Sequence, residues 1–201
     1  MTAAQNPADG SGAAPRVHDL VGVGLGPFNL ALAALADAVP GFSARFLEAR
    51  PGFSWHPGLL LEGARLQVPF LADLVTLVDP TSRWSFLSYL REHDRLFPFY
   101  FTESFHVPRR EYDDYCRWAA QGLDSCRFDA RVRSVRHDDG VFTVEHVDSS
   151  GAAHTVRGRA WCWASAPNPS CPRRCATWRA NGCSTPPSTW TGPRVWPGRA
   201  T

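Results

Sequence analysis

Apolar and polar positions run through this chain in blocks of differing period, and each change of period marks an element. Val17 to Val23 is a short apolar run, the pattern of a buried strand. Pro27 to Ala38 carries an alanine–leucine face at helical spacing and opens on a proline, which suits the first turn of a helix. Phe42 to Glu48 reads as a second strand. Leu59 to Thr76 is apolar but irregular, broken by Pro57, Gly58, Gly63 and Pro69. Ser85 to His93 and Glu111 to Gly122 read as helices, the second with Tyr112, Tyr115, Trp118 and Ala119 on one face. Arg127 to His137 and Val141 to Val147 alternate and predict a hairpin turning at Asp138-Asp139-Gly140.

Both ends differ from this patterned middle. Residues 1–16 are rich in Ala, Gly, Ser, Pro and Asn, with no basic start and no apolar stretch behind it, so they read as a disordered leader and not a signal peptide. After residue 160 the composition changes abruptly. The stretch 161–201 holds five of the eight tryptophans and four of the six cysteines, and contains no Leu, Ile, Phe, Asp, Glu or Lys. Such a segment is not expected to form a patterned helix or strand, and disordered tails are poor in Trp and Cys. The genetic code offers an account. Trp161-Cys162-Trp163-Ala164 must be encoded TGG-TGY-TGG-GCN, and reading from the last base of the Ala160 codon gives an apolar residue followed by Val-Leu-Gly. Continuing to Pro172 permits Val-Gly-Thr-Glu-Pro-Val-Val-Pro. The expectation is a frameshifted tail over 161–201, replacing a buried strand and a Gly-x-Gly-Thr turn. The organised domain is then 17–160.

Charge and cysteine content narrow the function classes. A net charge of +2 without basic runs interleaved with aromatics argues against nucleic acid as a partner. No apolar stretch reaches the roughly 20 residues that span a bilayer, so no integral membrane segment is expected and the chain reads as cytoplasmic. Cys162, Cys171, Cys175 and Cys183 match no common zinc spacing, so no metal site is expected.

The candidate chemistry lies where the first strand meets the first helix. Gly24-x-Gly26-x-x-Asn29 leaves the backbone bare for a closely approaching pyrophosphate, with Asn where a third glycine is usual. The helix from Pro27 aims its N-terminal amides and its dipole at that anion. Glu48 ends the second strand about 20 residues on, where an acid accepts hydrogen bonds from a ribose 2′-OH. These residues read as an adenine-dinucleotide fingerprint.

Four segments together resemble a known family. Gly24-x-Gly26-Pro-Phe-Asn-Leu, Phe53-Ser-Trp-His56, Leu66-Gln-Val-Pro-Phe-Leu-Ala-Asp-Leu-Val-Thr-Leu77 and Val107-Pro-Arg-Arg-Glu-Tyr112 are similar to the N-hydroxylating flavin monooxygenases of siderophore biosynthesis, the lysine N6-, ornithine N5- and diamine N-hydroxylases. The resemblance covers roughly residues 17–147. It implies an α/β fold, a Rossmann-like FAD-binding domain in three layers whose parallel sheet carries a β-hairpin or meander, here truncated. It implies FAD, NADPH and O2, with a neutral primary amine attacking a C4a-hydroperoxyflavin, and homo-oligomeric assembly. The amine must be unprotonated, because an ammonium has no lone pair to offer. The domain that would hold NADPH, with its own glycine fingerprint, is missing from these residues.

Residue by residue, the resemblance places Gly24, Gly26, Pro27 and Asn29 along the FAD pyrophosphate and Glu48 on the ribose. It places Trp55 and His56 beside the cofactor, Gln67 near the flavin ring and Val132 against the adenine. Phe70, Ala72 and Asp73 fall at the amine substrate. No residue is assigned as catalytic. Trp55 and Trp118 as core aromatics, and Arg109-Arg110-Glu111 as an internal ion-pair cluster, are the plainer alternatives. Ornithine hydroxylases have lysine where this chain has Ala72, and that lysine meets the substrate carboxylate. Alanine carries no charge, so lysine or a diamine such as cadaverine or putrescine is expected before ornithine. A non-catalytic FAD-binding fragment and a different flavin or NAD oxidoreductase remain open.

Overall fold

The computed structural model describes residues 16–163, and every structural statement here concerns those residues. A six-stranded mixed sheet forms from β1 (Val17–Val23), β2 (Ala44–Leu47), β3 (Cys126–Arg127), β4 (Arg131–Asp138), β5 (Val141–Val147) and β6 (Ala153–Trp163). Their spatial order is β3-β2-β1-β6-β5-β4. β3, β2, β1 and β6 run parallel, and β4 and β5 extend the sheet antiparallel from β6. The fold is α/β, a parallel sheet with a hairpin added.

The pleat of β1 divides the interior in two. Leu20 and Gly22 face the helices α1 (Pro27–Asp37), α2 (Phe86–Glu92), α3 (Leu96–Tyr100) and α4 (Arg109–Gly122), which share one large cluster with Leu25, Phe46 and Phe53. Val21 and Val23 face the other way, onto Leu47, Ala130 and Val144, with Val132, Val135, Val156 and Trp161 packed around them. Period 2 along a strand forces this division. The described helices all contribute to the first cluster, so they supply one of the two covering layers expected. Hairpin residues line the other face.

Helix α4 presents Tyr112, Tyr115 and Ala119 to the core as expected, and Trp118 lies partly buried at its edge. Tyr115 is wholly buried, and its hydroxyl donates to the Trp84 carbonyl at 2.7 Å and accepts from the Leu74 amide at 3.3 Å. The irregular stretch after Leu59 is held by backbone pairing with the segment before α4. Leu66 N donates to Val107 O, Phe70 N to Phe105 O and Arg109 N to Ala64 O, at 2.8–2.9 Å.

Two expectations are corrected. Arg127 to His137 is not one strand. Asp129 takes a left-handed conformation (φ 54°), and its amide and that of Ala130 donate to the carbonyls of Arg50 and Glu48. The chain breaks there, leaving Cys126–Arg127 paired with β2 and β4 starting afresh at the far edge of the sheet. Second, residues 161–163 do form a strand. β6 is 11 residues long, runs on to Trp163 and stays in register with β1, Trp161 opposite Val21 and Trp163 opposite Val23. Pairing is a backbone property, and β1 runs alongside β6 as far as Trp163, so an unpromising side-chain sequence still completes the ladder. Residues 164–201, where the rest of the expected frameshift falls, and the expected leader up to residue 15 lie outside the described residues.

One buried group in the hairpin makes stability depend on pH. His146 is buried against the ring of His154, centroids 5.3 Å apart, and its Nδ1 finds no hydrogen-bond partner among the described residues. Burial, helped by the charges of His154 and Arg127 and opposed by Asp148, pushes its pKa down to about 4. The folded chain keeps this imidazole neutral while the unfolded chain takes a proton below about 6.5. Stability is therefore whole above pH 6.5, falls as the pH drops to about 4 and loses no more from this group below that. Urea midpoints measured across that window check this, with His146→Gln expected to flatten the slope.

Candidate functional site

The glycine turn sits at the C-terminal end of β1, where parallel α/β sheets bind ligands. Gly24 has φ 82°, a left-handed conformation that side chains resist. Gly24 N donates to Leu47 O at 2.8 Å, tying the turn to the end of β2. Gly26 caps α1 without a side chain, Pro27 fills its first position, and its first turn carries no acid. The first turn of α1 thus brings no carboxylate of its own to compete with an anion for its amides.

Asn29 is 4 % exposed and turned inward. Its Nδ2 donates to Gly24 O at 2.7 Å, and its Oδ1 faces the Cys162 thiol at 3.4 Å. The amide thus braces the turn from beneath, which accounts for Asn where small glycine is usual.

Glu48 reaches the same turn from β2. Its Oε2 accepts from Leu25 N at 2.8 Å, and its Oε1 from Arg50 N at 3.0 Å. The Arg50 side chain adds two more donors, Nε to Oε1 at 3.0 Å and Nη2 to Oε2 at 3.3 Å. Burial alone would raise the Glu48 pKa. The Arg50 guanidinium and the two amides outweigh it and hold the carboxyl below its usual range, so Glu48 is an anion at neutral pH. Gly24, Gly26, Pro27, Asn29 and Glu48 are thus brought together. Val132 stands in β4 opposite His146, next to a bulge, and packs in the same small cluster as Val23 and Leu47.

A second group forms around Trp55. The ring lies edge-on to Tyr112 at 5.0 Å and tilted to His56 at 5.5 Å, with the Arg109 guanidinium over its face at 4.8 Å. Buried Asp113 accepts from Trp55 N at 2.7 Å and pairs with Arg117, pinning this segment to α4. His56 is exposed in a left-handed conformation (φ 45°) at the start of a short 3-10 turn. Arg109, Arg110 and Glu111 do not pair among themselves, but Glu111 makes a structural ion pair of the kind the plainer expectation held. Helical geometry spreads these consecutive residues: Glu111 pairs with Arg95, Arg110 Nε donates to Leu60 O and Arg109 stacks on Trp55.

The third group carries Gln67, expected near the flavin ring, and the expected amine-site residues Phe70, Ala72 and Asp73. Gln67 is exposed, one residue past buried Leu66. Phe70 stacks on Phe105 at 6.1 Å and meets Phe99 edge-on at 5.2 Å. Ala72 is half-buried and brings no charge. Asp73 Oδ1 accepts from the amides of Val75 and Thr76, and its Oδ2 from Thr76 Oγ1 and Phe86 N, all at 2.7–3.0 Å. That carboxylate organises the turn into α2. Arg50, Asp113 and Arg109 were not singled out as site residues by sequence alone. Asp113 was detectable as an acid on the buried face of an amphipathic helix, but Arg50 carries no sequence signal.

A positive-φ glycine turn opening a helix, beside a parallel strand ending in a buried acid, defines an adenine-dinucleotide-binding α/β domain. The chain matches the profile described as L-lysine 6-monooxygenase/L-ornithine 5-monooxygenase over residues 16–188. It belongs to that family of flavin-dependent, N-hydroxylating monooxygenases. It is 54% identical over 143 residues to the rhizobactin siderophore biosynthesis protein RhbE of Rhizobium meliloti, covering 70% of this chain and 32% of that one. It is 41% identical over 162 residues to the putrescine N-hydroxylase of Shewanella oneidensis, covering 79% and 32%. Among solved structures it resembles DfoA bound to FAD, the cadaverine monooxygenase of Erwinia amylovora, with TM-score 0.74 and 42% identity over 76% of this chain and 36% of that one. The chain spans about a third of the length of these relatives. No helix among the described residues is long and apolar enough to cross a membrane.

Proposed function

We propose that this chain is the FAD-binding part of an NADPH- and O2-dependent N-hydroxylase that acts on lysine or a diamine such as putrescine or cadaverine, supplying a hydroxamate precursor for a siderophore. The observation that carries this reading is the glycine turn, with Gly24 at φ 82° and Leu25 N bound to a buried, ionised Glu48, in a member of this family. Gly24, Gly26 and Pro27 would receive the FAD pyrophosphate at the uncapped end of α1, and Asn29 would hold the turn. Glu48 would take the adenosine ribose, Val132 the adenine, and Trp55, His56 and Gln67 the approach to the ring. When bound and reduced, FAD would activate O2, one atom of which would pass to the amine nitrogen and the other leave as water. Phe70 and Ala72 would line the amine pocket, with Asp73 shaping it.

Ala72 supports a diamine over ornithine, since it offers no cation to a carboxylate and a diamine has none. The relatives include putrescine and cadaverine enzymes and also an L-ornithine N(5)-monooxygenase of Burkholderia cepacia, so the choice rests on Ala72. We also infer that 17–160 is the FAD-binding domain and 161–201 a frameshifted tail, because the apolar-Val-Leu run that the alternative frame puts at 161–163 suits the position beside β1 better than Trp-Cys-Trp. Action in the cytoplasm and homo-oligomeric assembly belong to the same proposal.

The test is a pair of proteins, the 201-residue chain and the product of the frame-restored gene. The 201-residue chain is expected to quench FAD fluorescence without amine-dependent NADPH oxidation. The restored protein is expected to couple NADPH oxidation to hydroxylamine formation with lysine, putrescine or cadaverine. Absence of FAD binding in both, or a clear preference for ornithine, overturns the reading.

A further inference from the structure

We propose that Arg50 is a latch on the cofactor site, holding the acceptor positions of Glu48 that the adenosine ribose would use. The inference rests on the FAD reading above and concerns how this chain admits that group. A carboxylate has about four acceptor positions. In Glu48 all four are filled, by Leu25 N and Arg50 N from the backbone and by Arg50 Nε and Nη2 from one side chain. The backbone donors belong to the glycine turn and to the end of β2 and cannot leave without unmaking them. The guanidinium can, because the Arg50 side chain is 44% exposed while that of Glu48 is 9% exposed.

The stoichiometry matches. Arg50 presents two N–H donors in a fixed fork, and a ribose 2′,3′-diol presents two adjacent O–H donors. The guanidinium thus stands in for the diol, and it keeps a buried carboxylate paired until the diol arrives. A further donation, Arg50 Nη1 to Ser54 O at 2.6 Å, ties the latch to the segment leading to Trp55 and His56. Opening the latch therefore also removes one tie on that segment, which Asp113 continues to hold at Trp55 N.

The experiment uses the 201-residue chain, with FAD titrated by flavin fluorescence, and ADP and 2′,3′-dideoxy-ADP titrated by calorimetry. Arg50→Met keeps the aliphatic stem and removes the fork. It is expected to tighten FAD and ADP about two- to fivefold, the scale of a partly exposed ion pair, and to leave dideoxy-ADP unchanged. Arg50→Lys, a single point charge, should fall between the two proteins. Binding of FAD by Arg50→Met but not by the parent chain also supports the latch. Equal or weaker FAD binding in Arg50→Met overturns it, as does the same gain for dideoxy-ADP, which would mean general electrostatics. If neither protein binds FAD or ADP, the cofactor reading itself fails and the latch falls with it. Urea midpoints for each variant show whether a weakened protein is a destabilised one.

Discussion

Gly22→Ala should destabilise the chain by about 3 kcal/mol, the upper range for an overpacked core. A Cβ at Gly22 would lie 2.2 Å from Phe46 Cδ1 and 2.7 Å from its Cε1. Gly22 and Phe46 are register partners in β1 and β2, and Phe46 is wholly buried beneath the helices, so the ring has nowhere to turn. The backbone cannot yield easily either, since β1 is hydrogen-bonded to a neighbour on each side. The check is a double-mutant cycle by urea denaturation. Phe46→Ala alone should cost about 3–5 kcal/mol through its cavity. In the double variant the new methyl enters that cavity, so the two losses should fall short of additivity by about 2 kcal/mol. Additive losses would show that the clash is relieved elsewhere.

Asp73→Ala should cost a similar amount, about 3 kcal/mol, for the opposite reason. It empties a site where three backbone amides (Val75, Thr76 and Phe86) and one hydroxyl converge on a single carboxylate. Each amide left without a partner away from water costs about 1–3 kcal/mol, and partial solvent access brings the total down. Phe86 is buried at the start of α2, so losing its acceptor also loosens the packing of Phe70 and Tyr115 on that ring. Asp73→Asn retains an acceptor oxygen and should lose about half as much. Urea midpoints separate the two variants. In the frame-restored enzyme, a carboxylate that touches the amine would raise KM in Asp73→Asn beyond what the stability loss explains, whereas a purely organising role leaves KM alone.

Local period was enough to read β1, α1, α2, α4 and the β4–β5 hairpin, because each is specified by residues within one turn or one pleat of each other. The glycine turn and Glu48 were legible because their spacing is set by the length of one strand–helix–strand unit. What the sequence hid is pairing over distance. β3 is two residues long and owes its existence to β2 on the far side of the intervening helices. β6 carries Arg157 and Arg159 before Trp-Cys-Trp, a weak strand pattern overridden by pairing with β1 from Arg157 to Trp163 and with β5 up to Gly158. Within the site, Asn29 and Asp73 also hold backbone groups of the glycine turn and of the turn into α2. Neither a carbonyl nor an amide has a sequence signature. Arg50 is hidden for the same reason, its role depending on where the Glu48 carboxylate points.

The centre of the sheet joins residues that are far apart in the chain. Val23 faces Trp163, and Arg159 reaches Asp19 across 140 residues. Such contacts pay their loop entropy late, so folding of this domain is expected to be slow for its size. During synthesis β1 emerges first and β6 last, and one edge of β1 stays unpaired until nearly all the described chain has left the ribosome. An open edge of that kind is where a nascent chain meets a chaperone or another copy of itself. A change of sequence near residue 160 is therefore felt first in the yield of folded protein, before any question of cofactor or substrate arises.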